Sequence, residues 1–264
     1  MSFVSPEFAF LCLFFFPLYW SLANHPVAQK ALLIVSGYAL YATWVPVFAL
    51  VLAAYSMVIW GVGRWMRRAE AGRMPWVLGL WMAGTFLLAI KYYEFVRETF
   101  QVVLEHTGFV SLLPVLDVVA PVGVSFFTFQ AITYLVMVGR APQSARSLPD
   151  VLLFLSFWPT LFAGPILRAE PFFAQVDASD PLKRVGLPRQ AWLALYMIAL
   201  GLVQKVVLAS WLSAQVVDPV YKFPEHYASV SLAAAMLGYS LQIFLDFAGY
   251  TLIVTGLGLL LGFN

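Results

Sequence analysis

Residues 239–264 read YSLQIFLDFAGYTLIVTGLGLLLGFN, an apolar run that carries Gln242 and Asp246 near its start. The run is long enough to cross a bilayer as a helix, since about 20 apolar residues suffice. An acid in hydrocarbon costs roughly 2.5–3.5 kcal/mol on insertion scales, so it normally faces a bundle interior, a polar pathway or a site. The stretch therefore predicts a membrane helix with one packing or functional face.

The composition of the whole chain also indicates a membrane protein. Of the 264 residues, 62% are hydrophobic and only 11% are charged, which is too few charges to coat a soluble domain of this size. The net charge of +2 comes from arginines clustered in short loops, so no nucleic-acid partner is expected. The one cysteine, Cys12, excludes an internal disulfide and a cysteine-cluster metal site. We predict an all-α, polytopic transmembrane helical bundle.

Six apolar runs approach the length of a membrane span, and two shorter runs stand between them. Because proline removes a helix donor, Pro46 is expected to separate two helices that form a tight hairpin. Together the segments predict about seven crossings. The longer runs lie at about 8–23, 46–63, 76–93, 112–138, 191–216 and 229–262, and the shorter ones at about 31–44 and 150–166.

Basic residues in the loops orient the predicted bundle, because Lys and Arg accumulate on the cytoplasmic side. With the N-terminus outside, the inner loops hold 11 of the 15 basic residues. Basic loops then flank the segment 150–166 on both sides, and Pro159, Gly164 and Pro165 interrupt it. We expect a re-entrant segment beside a cytoplasmic cavity, with a short buried helix as an equal alternative. The inner basic residues are Lys30, Arg64, Arg67, Arg68, Arg73, Arg140, Arg146, Arg168, Lys183, Arg184 and Arg189.

Polar side chains inside the last apolar run share one helical face. Tyr239, Gln242, Asp246, Gly249 and Tyr250 step by three or four residues, and Gln242 and Asp246 are spaced to hydrogen-bond. This face is expected to point toward protein, away from lipid. Alternatively, Asp246 finds a lysine or backbone partner and the stripe only fixes the register of helix packing.

Three further features inside apolar segments leave alternatives open. Lys205 either pairs with Asp246, holds an anionic group near the inner face, or extends to the lipid headgroups. Gln130 is expected to hydrogen-bond between helices more readily than to contact a substrate. Gly258 and Gly262 have the spacing of small residues at a close helix contact.

The common catalytic constellations are absent from the sequence. His25, His106 and His226 lie in predicted loops, and none is spaced with a second histidine or a carboxylate to bind a metal or complete a triad. There is no phosphate-binding glycine loop, metalloprotease helix or nucleophile elbow. The chain thus has polar membrane elements without a visible reactive group.

Four motifs carry a resemblance to a known family. They are PVGVSFFTFQAITYLV (121–136), FWPTLFAGPILRAEPFFAQ (157–175), GLVQKVVLA (201–209), and YSLQIFLDFAGY with GLGLLLGF (239–263). In this order and spacing they resemble the membrane-bound O-acyltransferase family, and most of all its bacterial branch that O-acetylates alginate and related exopolysaccharides. YALYATWVP (38–46) and IKYYEFV (90–96) extend the likeness over nearly the whole chain.

The resemblance implies a ring of tilted helices in which a cytoplasmic tunnel for the acyl donor meets a funnel from the outer face. It implies acetyl transfer to an extracytoplasmic polysaccharide such as alginate, in the bacterial inner membrane, with no bound cofactor and no metal. The donor substrate would be acetyl-CoA or an acyl carrier. The implied partners are membrane lipid, the polysaccharide acceptor and O-acetylation accessory proteins.

The catalytic histidine of this family belongs to a later FWRRWH-like motif, which nothing in this sequence matches. Residues 1–264 are therefore expected to be an N-terminal part of the acyltransferase domain, inactive without a C-terminal half, and no catalytic residue is assigned here. The supporting candidates are Gln130, Gln242, Asp246 and Tyr250 for the channel wall, and Lys205, Gly164, Pro165 and Arg168 for the donor side.

Two other functions remain open at this point. A transporter or permease-like protein would use broken helices and the Asp246 stripe to pass a polar solute. Such proteins often contain two related halves, and no repeat relates residues 1–130 to 131–264. A non-catalytic membrane scaffold is the other alternative.

Overall fold

The computed structural model describes residues 3–68, 72–106, 121–177 and 188–263, and every regular element in these ranges is helical. This confirms the predicted fold class. The first eight helices are α1 Pro6–Ser21, α2 Pro26–Ala42, α3 Pro46–Met66, α4 Met74–His106, α5 Val124–Arg140, α6 Leu148–Leu155, α7 Trp158–Leu161 and α8 Ala169–Asp177. Helix α9 begins with Pro188–Leu202 and continues through Lys222, with π-helical turns at Val203–Ala209 and Ser213–Val217, and α10 is Ser229–Leu260.

Four helices in the described ranges are long and apolar enough to cross a membrane. Two shorter apolar helices, α1 and α5, have 16 and 17 residues. The protein is therefore a multi-pass membrane protein, while the number of crossings and their sidedness remain predictions. The four long spans are Pro46–Met66, Met74–Tyr93, Gln190–Lys222 and Ser229–Leu260.

Prolines determine where the first three helices begin. Pro6, Pro26 and Pro46 each occupy the start of a helix, where a missing N–H breaks no hydrogen bond. Pro46 thus separates α2 from α3, as the sequence predicted. The Ser5 hydroxyl also caps α1 by accepting a hydrogen bond from the Phe8 amide at 3.3 Å.

Helix α5 begins directly against α7. Gly123 precedes it with a φ of +79°, a left-handed conformation that favours glycine. A Cβ at this position would lie 2.2 Å from the carbonyl oxygen of Leu161, so no larger residue fits the contact. The early part of the span predicted at 112–138 falls outside the described residues.

The segment 150–166 contains two short helices, α6 and α7, of 8 and 4 residues. They pack among α2, α3 and α5, and the side chains of Phe154 and Leu155 are fully buried. The backbone of this segment contacts α2 closely at Gly37, because a Cβ there would lie 2.1 Å from the carbonyl oxygen of Ser156. Protein therefore covers the break between α6 and α7, where Ser156 and Phe157 are buried, as membrane depth requires. Entry and exit on one side of the membrane remain a prediction.

Ion pairs connect the short helices to neighbouring segments of the bundle. Lys30 Nζ lies 2.5 Å from Asp150 Oδ1 and joins α2 to α6. Arg146 donates to both carboxylate oxygens of Asp177, at 2.6 and 2.8 Å, and its guanidinium lies 4.7 Å from the centre of the Phe173 ring. Burial acts to raise the pKa of Asp150, but hydrogen bonds from Lys30 and a neighbouring serine outweigh it, so that pKa lies below its ordinary value.

Helices α9 and α10 pack along each other and leave apolar outer faces. Large side chains on these faces are mostly exposed, with Trp192 at 72% and Phe244 at 64%. Lipid tails or further membrane helices are the surroundings that such faces require.

Candidate functional site

An ion pair lies between helices α9 and α10. Lys205 Nζ of α9 bonds to Asp246 Oδ1 of α10. The side chain of Lys205 is 21% exposed and that of Asp246 is 53% exposed, so the carboxylate is about half-exposed at the surface of the bundle. Of the alternatives that the sequence left for Lys205, the structure selects pairing with Asp246.

Glycines bring the two helices into backbone contact beside this pair. A Cβ at Gly249 would lie 2.7 Å from the carbonyl oxygen of Gly201 and 2.9 Å from the amide nitrogen of Lys205. One at Gly256 would lie 2.7 Å from the carbonyl oxygen of Ala194. The short separation lets the Lys205 side chain reach Asp246 across the interface.

The glycine contact predicted from the sequence at Gly258 and Gly262 is wrong. A Cβ at Gly258 would meet nothing closer than the carbonyl oxygen of Phe263 at 4.0 Å. Gly262 has a φ of +85° and helps to end α10, where the Phe263 amide donates to the Gly258 carbonyl at 2.9 Å. These two glycines therefore lie at the end of α10, and the glycines of α10 that contact α9 come earlier in the helix.

The helix around Lys205 is widened by π-helical turns. Residues Val203–Ala209 form such a turn, and these turns occur frequently at functional sites. The Ser210 hydroxyl donates to the carbonyl oxygen of Lys205 at 3.3 Å. The amide oxygen of Gln204 is buried and accepts no hydrogen bond in the described residues. Sequence reasoning missed Gln204, although it stands directly before the lysine.

Gln242 lies on the same face of α10 but does not bond to Asp246. Its amide oxygen is buried without a hydrogen-bond partner among the described residues, as are the hydroxyls of Tyr250 and Thr251. The predicted stripe is only partly covered by protein, since Asp246 is exposed, and its carboxylate bonds to Lys205 and not to Gln242. Unpaired polar atoms in an apolar bundle are costly unless a ligand, water or another chain reaches them.

Tyr250 connects α10 to the segment after α7. Its ring lies 5.8 Å from that of Phe3 and packs on Gly164, whose φ is +108°. Pro165 and Arg168 follow on the surface. Arg168 makes no side-chain hydrogen bond or ion pair in the described part of the chain, so only Gly164 of these three contacts the Tyr250 face.

Gln130 lies elsewhere in the bundle. Its side-chain nitrogen donates to Thr160 Oγ1 of α7 at 3.2 Å, and both side chains are buried. This is the interhelical hydrogen bond that the sequence favoured for Gln130. The structure therefore brings Lys205, Asp246 and Gln242 to the α9–α10 face, Tyr250 and Gly164 to the α7–α10 contact, and Gln130 to the α5–α7 contact.

An apolar cavity is separate from the ion pair. It measures about 710 Å³ and lies among α1, α9 and α10, with Cys12, Leu202 and Leu257 in its lining. Neither Lys205 nor Asp246 contributes to it.

The metal-ligating side chains of the described residues do not cluster. No group of three metal-ligating side chains occurs among them. His25 and His226 are exposed, and neither makes a side-chain hydrogen bond or ion pair in the ranges described. The ring of His226 stacks on Phe223 at 5.8 Å.

These features define a multi-pass helical membrane protein with a polar cluster where two long helices meet. A comparison with protein families then makes the assignment specific. The profile of the membrane-bound O-acyltransferase family, MBOAT, matches residues 122–264, which is more than half of the chain. The chain belongs to this family, and the match includes every part of the polar cluster.

Individual relatives extend the similarity to the whole chain. The chain is 28% identical over 274 residues to the "Probable alginate O-acetylase AlgI" of Azotobacter vinelandii, covering 100% of this chain and 52% of the relative. The protein of the same name from Pseudomonas aeruginosa is also 28% identical, with 100% and 50% covered. A "Peptidoglycan O-acetyltransferase" of Helicobacter pylori is 26% identical, with 90% and 49% covered. The chain thus spans about half the length of the curated relatives it matches.

Proposed function

We propose that this chain forms part of an O-acyltransferase that moves an acetyl group from a cytoplasmic thioester donor to a hydroxyl of an extracytoplasmic polysaccharide. The names of the relatives support polymer acylation, and alginate is the acceptor most often named. Acetyl-CoA or an acyl carrier would act as donor substrate, without a bound cofactor. The proposed location is the bacterial inner membrane, with accessory O-acetylation proteins as partners.

The observation that carries this proposal is the Lys205–Asp246 pair within the region matched by the family profile. Acyl transfer builds negative charge on the carbonyl oxygen, and preorganised positive charge or dipoles stabilise that charge best in a site with little water. Lys205 provides a cation at an otherwise apolar interface, and Asp246 holds it in place. The unpaired amide oxygens of Gln204 and Gln242 add acceptors for a substrate hydroxyl.

The general base that removes the hydroxyl proton is, in this proposal, supplied from outside these 264 residues. General bases act within hydrogen-bond reach of the proton they remove, and histidine is the commonest. His25 and His226 are exposed, and no described contact links them to the α9–α10 face. The length of the relatives, about twice that covered here, supports a second half as the source of the base.

The test is acetyl transfer from radiolabelled acetyl-CoA to alginate in membranes. The chain would be expressed alone and, in a second sample, together with the second half of an alginate O-acetylase relative. That second half expressed alone is the matched control. We expect transfer only when both halves are present. Transfer by this chain alone would contradict the claim that the base lies elsewhere. No transfer in the combined sample, with both halves in the membrane, would favour a non-catalytic scaffold.

A further inference from the structure

A second cavity lies where α3 ends, α4 begins and α5 ends. Its volume is about 460 Å³, and it shares no lining residue with the polar cluster at α9 and α10. Met66 and Val136 form part of an apolar wall, while Arg73 and Arg140 line the remainder. The cavity therefore combines hydrocarbon-like and cationic surfaces.

The two arginines are available to a ligand. Both are exposed, and neither makes an ion pair or side-chain hydrogen bond within the described ranges. No acidic residue of those ranges lines the cavity. Two guanidinium groups at one cavity form a strong site for an oxyanion, because each presents several N–H donors in a planar fork.

Trp76 adds a buried donor to the same cavity. Its indole nitrogen Nε1 is buried and has no acceptor in the part of the chain that the structure describes. The ring lies directly on the backbone of α5, since a Cβ at Gly139 would be 2.4 Å from its Cδ1 atom and 2.6 Å from Nε1. A ligand oxygen in the cavity would provide the missing acceptor.

The position of the cavity suits a phosphate at the membrane surface. It lies at the ends of α3 and α4, two helices long enough to cross the bilayer. The basic loops place this end on the predicted cytoplasmic side. Basic pockets between membrane helices on that side are suited to anionic lipid headgroups.

We propose that this cavity binds a phosphate group, with Arg73 and Arg140 contacting its oxygens and Trp76 donating from Nε1. The group belongs either to an anionic phospholipid headgroup or to a soluble phosphate, and the apolar wall favours the lipid. The site is independent of the proposed acyl transfer, because no residue of the α9–α10 cluster takes part in it.

The test measures lipid binding to the purified chain by native mass spectrometry, with phosphatidylglycerol against phosphatidylcholine. The variant Arg73→Gln/Arg140→Gln is compared with Arg67→Gln/Arg68→Gln, which removes equal charge from the same side but outside the cavity. We expect phosphatidylglycerol affinity to fall about tenfold or more in the first variant, and less than about twofold in the second. Trp76→Phe retains an aromatic ring without the N–H and is expected to weaken binding about threefold.

Inorganic phosphate and free CoA distinguish the two sources. If they fail to displace phosphatidylglycerol, the ligand is a lipid headgroup. If they bind with the same dependence on Arg73 and Arg140, the site accepts a soluble phosphate. Equal losses in the two double variants would overturn the proposal, since only general charge would then matter. An unchanged affinity in Trp76→Phe and in the single substitutions Arg73→Gln and Arg140→Gln would overturn it as well.

Discussion

The acid in α10 is tolerated because a lysine of the neighbouring helix neutralises it. Spacing within one helix was enough to predict that Gln242 and Asp246 share a face, since that geometry is local. Lys205 and Asp246 are 41 residues apart in sequence, and their pairing depends on the register of α9 against α10. The sequence therefore left three alternatives for Lys205, and only the packing of α9 on α10 decides among them.

Lys205→Met is expected to lower stability by about 1–3 kcal/mol, because Asp246 would remain as an unpaired charge at an apolar surface. Asp246→Leu should have a similar effect, while the double variant Lys205→Met/Asp246→Leu should lose less than the sum of the two. Thermal unfolding of the purified protein in detergent provides the measurement. Strictly additive losses would show that the two side chains do not interact.

Asp150→Asn is expected to lower stability at neutral pH by about 1 kcal/mol, because it removes the ion pair with Lys30. The folded-state pKa of Asp150 is lowered, so its contribution is fully present above the unfolded pKa of about 3.9 and is lost as the pH falls through the folded value. The difference in Tm between the wild type and the variant should stay constant from pH 7 to 5. It should shrink below about pH 4, and a difference that shrinks instead between pH 7 and 5 would argue against a lowered pKa.

Close contact between α9 and α10 rests on Gly201, Gly249 and Gly256, which lie at backbone contacts. Of these, the sequence placed only Gly249 on a protein-facing stripe, whereas the small-residue spacing selected Gly258 and Gly262. A small-residue pattern identifies a possible close contact but not which face meets a neighbour. The π-helical turns of α9 were missed for a related reason, because one inserted residue per turn leaves the apolar composition unchanged.

Gly249→Ala is expected to destabilise the protein by about 1–3 kcal/mol, because the added methyl group would overlap the backbone of α9. Gly258→Ala in the same helix is the matched control, since its methyl group would meet no atom closer than 4.0 Å. The midpoint of thermal unfolding in detergent would report both variants. Equal changes in the two would contradict the assignment of Gly249 to the contact.

The overall architecture was the most predictable level of the molecule. Apolar composition and span length predict a helical membrane bundle without reference to any partner helix. Pro46 likewise marks a boundary locally, because a proline acts through its own backbone. The Arg73 and Arg140 cavity was not predicted, since Arg73 precedes α4 and Arg140 ends α5, and both arginines were assigned only a role in orientation.

The predicted sidedness is testable with single cysteines in a Cys12→Ser background. Arg168→Cys should react with a membrane-impermeant maleimide only when the cytoplasmic face is exposed, as in inverted vesicles. Glu225→Cys should react in right-side-out vesicles, because it lies in the loop before α10 that is predicted to face outward. Labelling of both positions from one side would contradict the assigned topology.

The most direct test of the account is the initial rate of acetyl transfer to alginate in membranes that contain both this chain and the second half of a relative. Asp246→Ala should reduce that rate by at least about tenfold. Glu225→Ala, which removes an exposed acid outside the cluster, should leave the rate unchanged. A normal rate in Asp246→Ala, at equal protein levels, would contradict the claim that the Lys205–Asp246 pair belongs to the reaction centre.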